Sequence, residues 1–600
     1  MTTLTDIPRK TTKGTAFLIE DSEPQDIFTP EDLSEEHLAI GKMVEEFWAN
    51  EVEPNLPAIR EKKPGVAMAV LRKSVELGLT AMAIPEEYGG MAMDLPSLLV
   101  TAERLGRDGS YGGWHSAHTG IGTLPVVYFG TPEQKRKYLP KLAKVEMLAA
   151  YALTEPLAGS DALAARTRAD LAPDGKHYIL NGQKMWITNG GFADLFVVFA
   201  KIDGERFSAF IVEKKFPGCK PGNEEHKMGI HGSSTTPVFL ENCQVPKENL
   251  LHEIGRGHIV AFNILNAGRF SLGAYCTGGA KGSLETASKY AKERVAFGKP
   301  IGDFGLIREK LGEMAIRIFA VESMIYRSAG LMDRAIAAAG EGADKSLQSM
   351  KVFEEFAIES SISKVYGSEL LDFVVDEAVQ IFGGYGFHED YPVARSYRDS
   401  RVNRIFEGTN EINRMLIIQM LMKRATSGAL PLMQAGAKLR EEIMAGPSFE
   451  EPPGGEWAAE ERILAGLKKA FLLVAGAALE KYREHLADQQ EIVAALSDVV
   501  MECYAVESSL RRVQKAELAR GATSTAVMAD AARVFLHDAA DRVEVGARRA
   551  LAAVLEGDML RTQLAVLRRF LKREPADTVA MRQRVCAAVQ AGDRYPFEGR

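Results

Sequence analysis

The chain has 600 residues, 46% of them hydrophobic and 26% charged. That is too long for one hydrophobic core and too apolar for a disordered or fibrous chain; at ~150 residues per domain it predicts about three to five domains. Seventy-three Lys and Arg against 81 Asp and Glu give a formal net charge of −8, which lends no support to a polyanion-binding protein, so no nucleic-acid partner is expected.

Residues 1–33 read as an N-terminal extension. The opening MTTLTDIPRKTTKGTAFLIEDSEP has no apolar signal core, and its acidic residues argue against a transit peptide, so a cytoplasmic, bacterial-type protein is expected. From 34 to 150 the pattern is helical. Ser34 opens a run in which Leu38, Ile40, Met43, Val44 and Phe47 fall near helical spacing, and Leu71, Val75, Leu77 and Leu79 continue it. From 151 to 257 the grammar is that of strands. Residues 178–180 and 184–187 flank Asn181-Gly182, and 195–202 and 207–212 flank Asp203-Gly204, which predicts two hairpins; 238–240 reads as a further strand. An antiparallel sheet domain is expected here. From 258 to 425 helices return. Ser283 is a predicted N-cap ahead of Leu284, Ala287 and Ala291, and 316–339 and 353–379 are long periodic runs. The stretch 426–456, centred on the Pro- and Gly-rich 446–455, reads as a linker. Residues 457–600, rich in Ala, Leu, Glu and Arg, read as an extra helical domain. The fold class is therefore mainly α with a central β domain.

Five cysteines, none in a CxxC pair, point to a reducing compartment and to no metal site. The longest purely apolar run, 470–479, is half the ~20 residues a spanning helix needs. Ile463, Leu464, Leu467, Phe471, Leu472 and Val474, with Lys468 and Lys469, are compatible with an amphipathic helix. Its apolar face has two uses: a peripheral membrane contact, or packing against its own or a second subunit.

No third glycine completes a Rossmann fingerprint, and there is no Walker A loop, HExxH or GxSxG. Four other stretches have ligand-loop character. In Tyr151–Asp161, Gly159 and Ser160 permit close backbone approach and offer hydrogen bonds; the alternative is an ordinary connecting loop. In Lys184–Gly191, Trp186 near a strand end can cover a flat aromatic ligand while Thr188 bonds its edge; the alternative is a core tryptophan beside a turn. Gln380–Gly386 is a glycine turn that admits a phosphate or serves as a helix C-cap. In Arg404–Asn413, Glu407 sits in an apolar setting just before a helix that Thr409 or Asn410 could cap; burial raises its pKa and a helix N-terminus lowers it, a balance that suits a general base, against the alternative of a solvated capping glutamate.

Together these stretches resemble the acyl-CoA dehydrogenase family. ALTEPLAGSD (152–161), KMWITNGG (184–191), KMGIHGSSTT (227–236), NAGRF (266–270), ERVAFGKPI (293–301), QIFGGYGF (380–387) and RIFEGTNEIN (404–413) match its motifs in order over about residues 35–425, and the region beyond the linker is similar to the long, very-long-chain form. The resemblance implies a helical N-terminal domain, a barrel-like β domain and a helical bundle, with bound FAD. It assigns the flavin to Tyr151, Leu153, Thr154, Gly159, Ser160, Trp186, Ile187 and Thr188, completed by Thr409 and Asn410. Arg294, Phe297, Gln380, Ile381, Gly383 and Gly384 would serve the FAD of a neighbouring subunit in a homodimer. Ser160, Asn266, Arg269 and Gly408 would meet the substrate.

The implied reaction is α,β-dehydrogenation of an acyl-CoA thioester in fatty-acid β-oxidation. Glu407 takes the α-proton, flavin N5 the β-hydride, and the backbone N–H of Glu407 with the ribityl 2′-hydroxyl stabilises the enolate oxygen. Electrons then pass to an electron-transfer flavoprotein. Leu157 replaces a residue often small in the family, and 304–308 lacks the glutamines common after GKPI. Gly112-Gly113 falls near the pocket floor and favours a long-chain range. An oxidase that uses O₂, and an FAD-bearing assembly scaffold with little turnover, are the alternatives.

Overall fold

The computed structural model describes residues 12–338, 340, 345–446 and 454–598. The core of the expected linker, 447–453, lies outside them. Part of the stretch expected as linker is helical, Leu432–Ala445.

The principal helices are α1 (Glu35–Phe47), α2 (Leu95–Leu105), α3 (Gly109–Ser116), α4 (Gly257–Glu293), α5 (Gly305–Ala337), α6 (Ala357–Phe382), α7 (Asn410–Thr426), α8 (Ala458–Tyr482), α9 (Gln490–Arg520), α10 (Ala522–Val554) and α11 (Thr578–Gly592). Their starts are written locally. Ser34 accepts from the His37 N–H in a capping box ahead of α1, Asp94 accepts from the Ser97 N–H at α2, and Asp108 from Ser110 and Tyr111 at α3. Asp94 also bonds His37 Nε2 at 2.9 Å, which ties α1 to α2. Ser283, expected as a cap, lies inside α4 instead: an unbroken buried face from Val260 to Ala291 keeps the helix running through it.

The middle sheet has the order β6-β7-β3-β2-β4-β5-β8, with β1 beside β4. Its strands are β1 (Ala149–Ala152), β2 (Arg168–Leu171), β3 (His177–Thr188), β4 (Leu195–Ile202), β5 (Arg206–Glu213), β6 (Cys219–Pro221), β7 (Thr235–Pro246) and β8 (Leu250–Leu251). Two expectations change. The sheet is mixed, because β4 pairs parallel with both β1 and β2. Asn181-Gly182 is no hairpin turn; it sits within β3, at a register shift against β7. Glycine is needed there because a Cβ would come within 2.4 Å of Thr167 Oγ1, and the Asn181 side chain accepts from the Asn242 N–H across the shift. The Asp203-Gly204 turn does join β4 to β5, with φ of 55° and 79°.

The helical bundle closes by backbone contact. A Cβ on Gly278 of α4 would lie 1.8 Å from the Glu103 carbonyl of α2, and one on Gly106 would lie 2.1 Å from the Tyr275 carbonyl. The glycines let the two helices cross at that distance. Helices α9–α11 pack on α5, and α8 packs on α9 and α10. The face of α8 considered for a membrane is covered by its own chain: Ile463, Leu464, Leu467, Phe471 and Val474 are buried, and Lys468 donates to Glu507 of α9 at 3.0 Å. Packing accounts for that face, and the membrane expectation is withdrawn. Among the described residues no helix is long and apolar enough to cross a membrane.

Candidate active site

Glu407 stands in the turn before α7, with φ of 59°, and Gly408 follows at φ 77°. A glutamate in the left-handed region costs of order 1 kcal/mol, so the turn must be held from outside. Three side chains hold it. Arg269 of α4 donates to the Glu407 carbonyl at 3.0 Å and to Asn266 Oδ1 at 3.0 Å. Lys364 of α6 donates to the Gly408 carbonyl at 2.8 Å. Asn413 of α7 donates to the Gly408 and Thr409 carbonyls at 2.9 and 3.0 Å. Thr409 caps α7 by accepting from the Ile412 N–H.

With its backbone pinned, Glu407 turns its carboxylate toward Gly268 of α4, where a Cβ would lie 2.8 Å from both carboxylate oxygens. Only a glycine leaves that space. Oε2 is buried with no protein partner among the described residues. Burial pushes the carboxyl up to about 7, against the pull of Arg269 and Lys364. The Glu407 N–H is given to no backbone acceptor among the described residues. The carboxylate borders an apolar cavity that Thr188, Leu272, Tyr275, Gly113 and Leu98 also line.

The β domain brings Thr188 to the same cavity and carries the predicted flavin residues from Tyr151 to Ile187 around it in sequence and sheet. Tyr151 on β1 is buried and donates to the Ala261 carbonyl of α4 at 3.3 Å. Leu153 is buried behind it. The Thr154 carbonyl accepts from the Met185 N–H at 2.8 Å, which joins the first predicted loop to the end of β3. Trp186 is 56% exposed with φ 59°, Ile187 is buried and Thr188 lines the cavity. Gly159 and Ser160 are exposed beyond this edge, and nothing lies within 4 Å of a Cβ on Gly159.

Seven predicted residues, Asn410 and a group of six, are placed differently from the rest. Asn410 faces inward: its Oδ1 accepts from Lys364 at 2.6 Å and its Nδ2 donates to Ser368 and Glu369. Its side chain is spent on the turn. Arg294, Phe297, Gln380, Ile381, Gly383 and Gly384 line no part of the Glu407 cavity. They gather elsewhere: Arg294 lies over the Tyr385 ring at 5.6 Å, Tyr290 stacks on Phe382 at 3.9 Å, and Phe297 is 95% exposed.

Comparison with known proteins now decides the family. Models of the acyl-CoA dehydrogenase N-terminal domain, middle domain and C-terminal domain match residues 34–146, 150–243 and 255–422, and a further C-terminal domain model matches 466–569. A probable acyl-CoA dehydrogenase of Bacillus subtilis is 46% identical over 97% of this chain and 98% of its own length. The chain belongs to the acyl-CoA dehydrogenase family. It is also similar to the mitochondrial very long-chain specific acyl-CoA dehydrogenase of Homo sapiens, at 36% identity over 77% of this chain and 72% of that one. The crystal structure of an acyl-CoA dehydrogenase complexed with FAD from Bacillus anthracis matches with a TM-score of 0.95 and 46% identity, covering 97% of this chain and 100% of that one. The fold class and the resemblance read from the motifs are thus borne out.

Sequence reasoning missed Lys364 and assigned no role to Asn413, Glu155 or Lys184. Lys364 is fully buried in α6 among Ile362, Val365 and Ser368; a single lysine in an apolar helical run was the available signal. Lys184 is likewise buried and donates to Glu155 at 2.6 Å, while Glu155 accepts from the Arg166 and Thr167 N–H groups. That pair holds the loop carrying Thr154.

Proposed function

We propose that this protein dehydrogenates acyl-CoA thioesters of the long-chain range to trans-2-enoyl-CoA, with FAD as oxidant and Glu407 as base. The observation that carries the reading is the Glu407 carboxylate, unpartnered at Oε2 on the wall of an apolar cavity and held by a strained, three-point turn.

The β-domain residues fit FAD. Thr188 shares the cavity with the base, the exposed Trp186 ring stands two residues before it on the same strand, and the open space around Gly159 suits a backbone approach to a phosphate. When bound, FAD supplies the acceptor for the β-hydrogen as hydride. The chain's own residues do the rest. Glu407 takes the α-proton onto Oε2. A pKa of about 7 leaves it ionised at working pH yet basic enough to accept. The N–H of Glu407 bonds the thioester oxygen as negative charge grows on it. Arg269, Lys364 and Asn413 keep that N–H aimed by fixing the carbonyls that follow it. Asn410 acts through Lys364 and is a positioning residue.

The long-chain range rests on cavity length. Lining residues on α4 run from Gly268 to Ser283, about 22 Å at the helical rise. Gly113 leaves open space where a Cβ would stand, so nothing closes the cavity there. Arg294, Phe297, Gln380, Gly383 and Gly384, exposed and outside the lining of the Glu407 cavity, support a homodimer in which they and Ile381 serve the neighbour's FAD. An electron-transfer flavoprotein would serve as the partner that takes up the two electrons removed from the substrate. The test is product analysis: palmitoyl-CoA with an artificial dye acceptor should give the trans-2-enoyl thioester without peroxide. Stoichiometric peroxide in air would favour the oxidase reading.

A further inference from the structure

The wall that closes the far part of the cavity carries a buried chain of charges on its outer side. Thr101 and Ala102 of α2 and Gly279 and Ser283 of α4 line the cavity. Between them in sequence stand Glu103 and Lys281, both buried. Lys281 Nζ donates to Glu103 Oε1 at 2.6 Å and also to Glu322 of α5. Arg512 of α9, with no side-chain exposure, donates to Glu322 Oε2 at 2.6 Å and to Glu31 Oε1 at 2.8 Å. It also donates to the Phe597 carbonyl at 2.9 Å, and Tyr595 donates its hydroxyl to Glu322 at 2.7 Å. Arg104 completes the set on Glu103 at 3.0 Å.

The cluster is a network of ion pairs. Glu31, Glu103 and Glu322 meet Lys281, Arg104 and Arg512, and at its margin Arg104 also pairs with Glu45 at 2.7 Å while Arg520 approaches Glu31 at 4.0 Å. Removing one member of such a group leaves an uncompensated buried charge. Its ends come from the two extremities of the chain. Glu31 precedes the family-matched segments and Tyr595 and Phe597 follow them. The strap around Glu31 is tied down along its length: Lys468 takes the Glu20 carbonyl, Arg327 takes Ser22, and Lys515 takes the Ile27 carbonyl.

We propose that the N-terminal strap and the C-terminal tail, joined through Arg512, are positioning elements for the distal half of the acyl cavity. The α2–α4 crossing brings backbone against backbone at Gly106 and Gly278, and the Lys281–Glu103 pair, anchored through Glu322 and Arg512, adds a buried charged tie between the two helices. Lys281 stands 13 residues from Gly268, about 20 Å along α4. A short acyl chain at Glu407 therefore does not reach the wall this cluster holds, and a long chain does. The extra helical domain thereby becomes part of chain-length selection. This inference rests on the dehydrogenase reading above.

The test uses full-length holoenzyme and two variants, Tyr595→Phe, which removes one hydrogen bond, and Glu31→Gln, which removes one charge, each approaching the cluster from one extremity. For each, kcat/KM is measured with C4 and C16 acyl-CoA, and amide exchange is followed over 95–107. The expected result is a loss of about fivefold to tenfold for C16, carried by KM, with C4 changed by less than about twofold and faster exchange over 95–107. A merely structural role lowers both substrates together with flavin content. Equal losses at C4 and C16, or unchanged exchange over 95–107, overturn the proposal. If wild type turns over neither substrate, the dehydrogenase reading fails and the chain-length claim falls with it; the exchange arm still decides whether the extremities hold α2.

Discussion

At the scale of single residues, the proposed reaction depends on one carboxylate, Glu407, whose pKa burial raises and whose turn is held by its neighbours. Glu407→Gln keeps the shape and removes the base, and turnover should fall by about 10³-fold or more while flavin content is retained. The same substitution should change stability in a pH-dependent direction. Below its ordinary value of 4.5 the carboxyl is protonated whether folded or unfolded. Between 4.5 and about 7 the unfolded chain ionises it first, so the folded state loses stability as pH rises, and above 7 the full burial cost persists. Glu407→Gln should therefore stabilise the apoprotein at pH 8 by on the order of 1 kcal/mol and leave it unchanged at pH 4.5, read by thermal melting at both pH values. For the wild type, kcat/KM should rise with pH through about 7 as the base ionises. Gly268→Ala is a second probe. Its Cβ would stand 2.8 Å from both Glu407 oxygens, so the carboxylate must move, and kcat should fall at least tenfold with little change in KM.

At the scale of elements, the cavity is a product of close helix crossings, and its glycines differ in kind. Gly106 and Gly278 are there because backbone meets backbone, whereas Gly113 faces open space. Gly113→Leu should fold and fill that space, cutting kcat/KM for C16 by tenfold or more while C4 is spared; equal losses at the two lengths would contradict the cavity's orientation. Elements also show what was legible beforehand. The helical runs and the Asp203-Gly204 hairpin follow from local periodicity and turn chemistry, which needs no partner. Asn181-Gly182 carries the same local signal, yet it is overruled by β7 and by the approach of Thr167, contacts that are remote in sequence. Glu407 and Arg269 were legible because they sit in motifs of fixed spacing. Lys364 was not, since a lysine's burial depends on α7 folding back onto α6. Asn410's inward side chain was hidden for the same reason: the motif marks the position, but only the fold shows its bonds to Lys364 and Ser368.

At the scale of the whole molecule, Phe297, Tyr385 and Phe387 are large apolar side chains left open to water, Phe297 at 95% and Phe387 at 91% exposure. A homodimer should bury them, and sedimentation should report two chains. Phe297→Asp should yield single chains with reduced FAD content, because the neighbour's contribution to the cofactor is lost with the interface. A dimer that persists with full FAD would place the interface elsewhere.

The most direct measurement is anaerobic titration of the purified holoenzyme with C16 acyl-CoA, following the visible flavin band, with Glu407→Gln beside it. Wild type should bleach at one equivalent while the variant stays yellow with acyl-CoA bound. A wild type that keeps its flavin colour with every chain length, or a Glu407→Gln variant that bleaches as fast as wild type, would contradict the account.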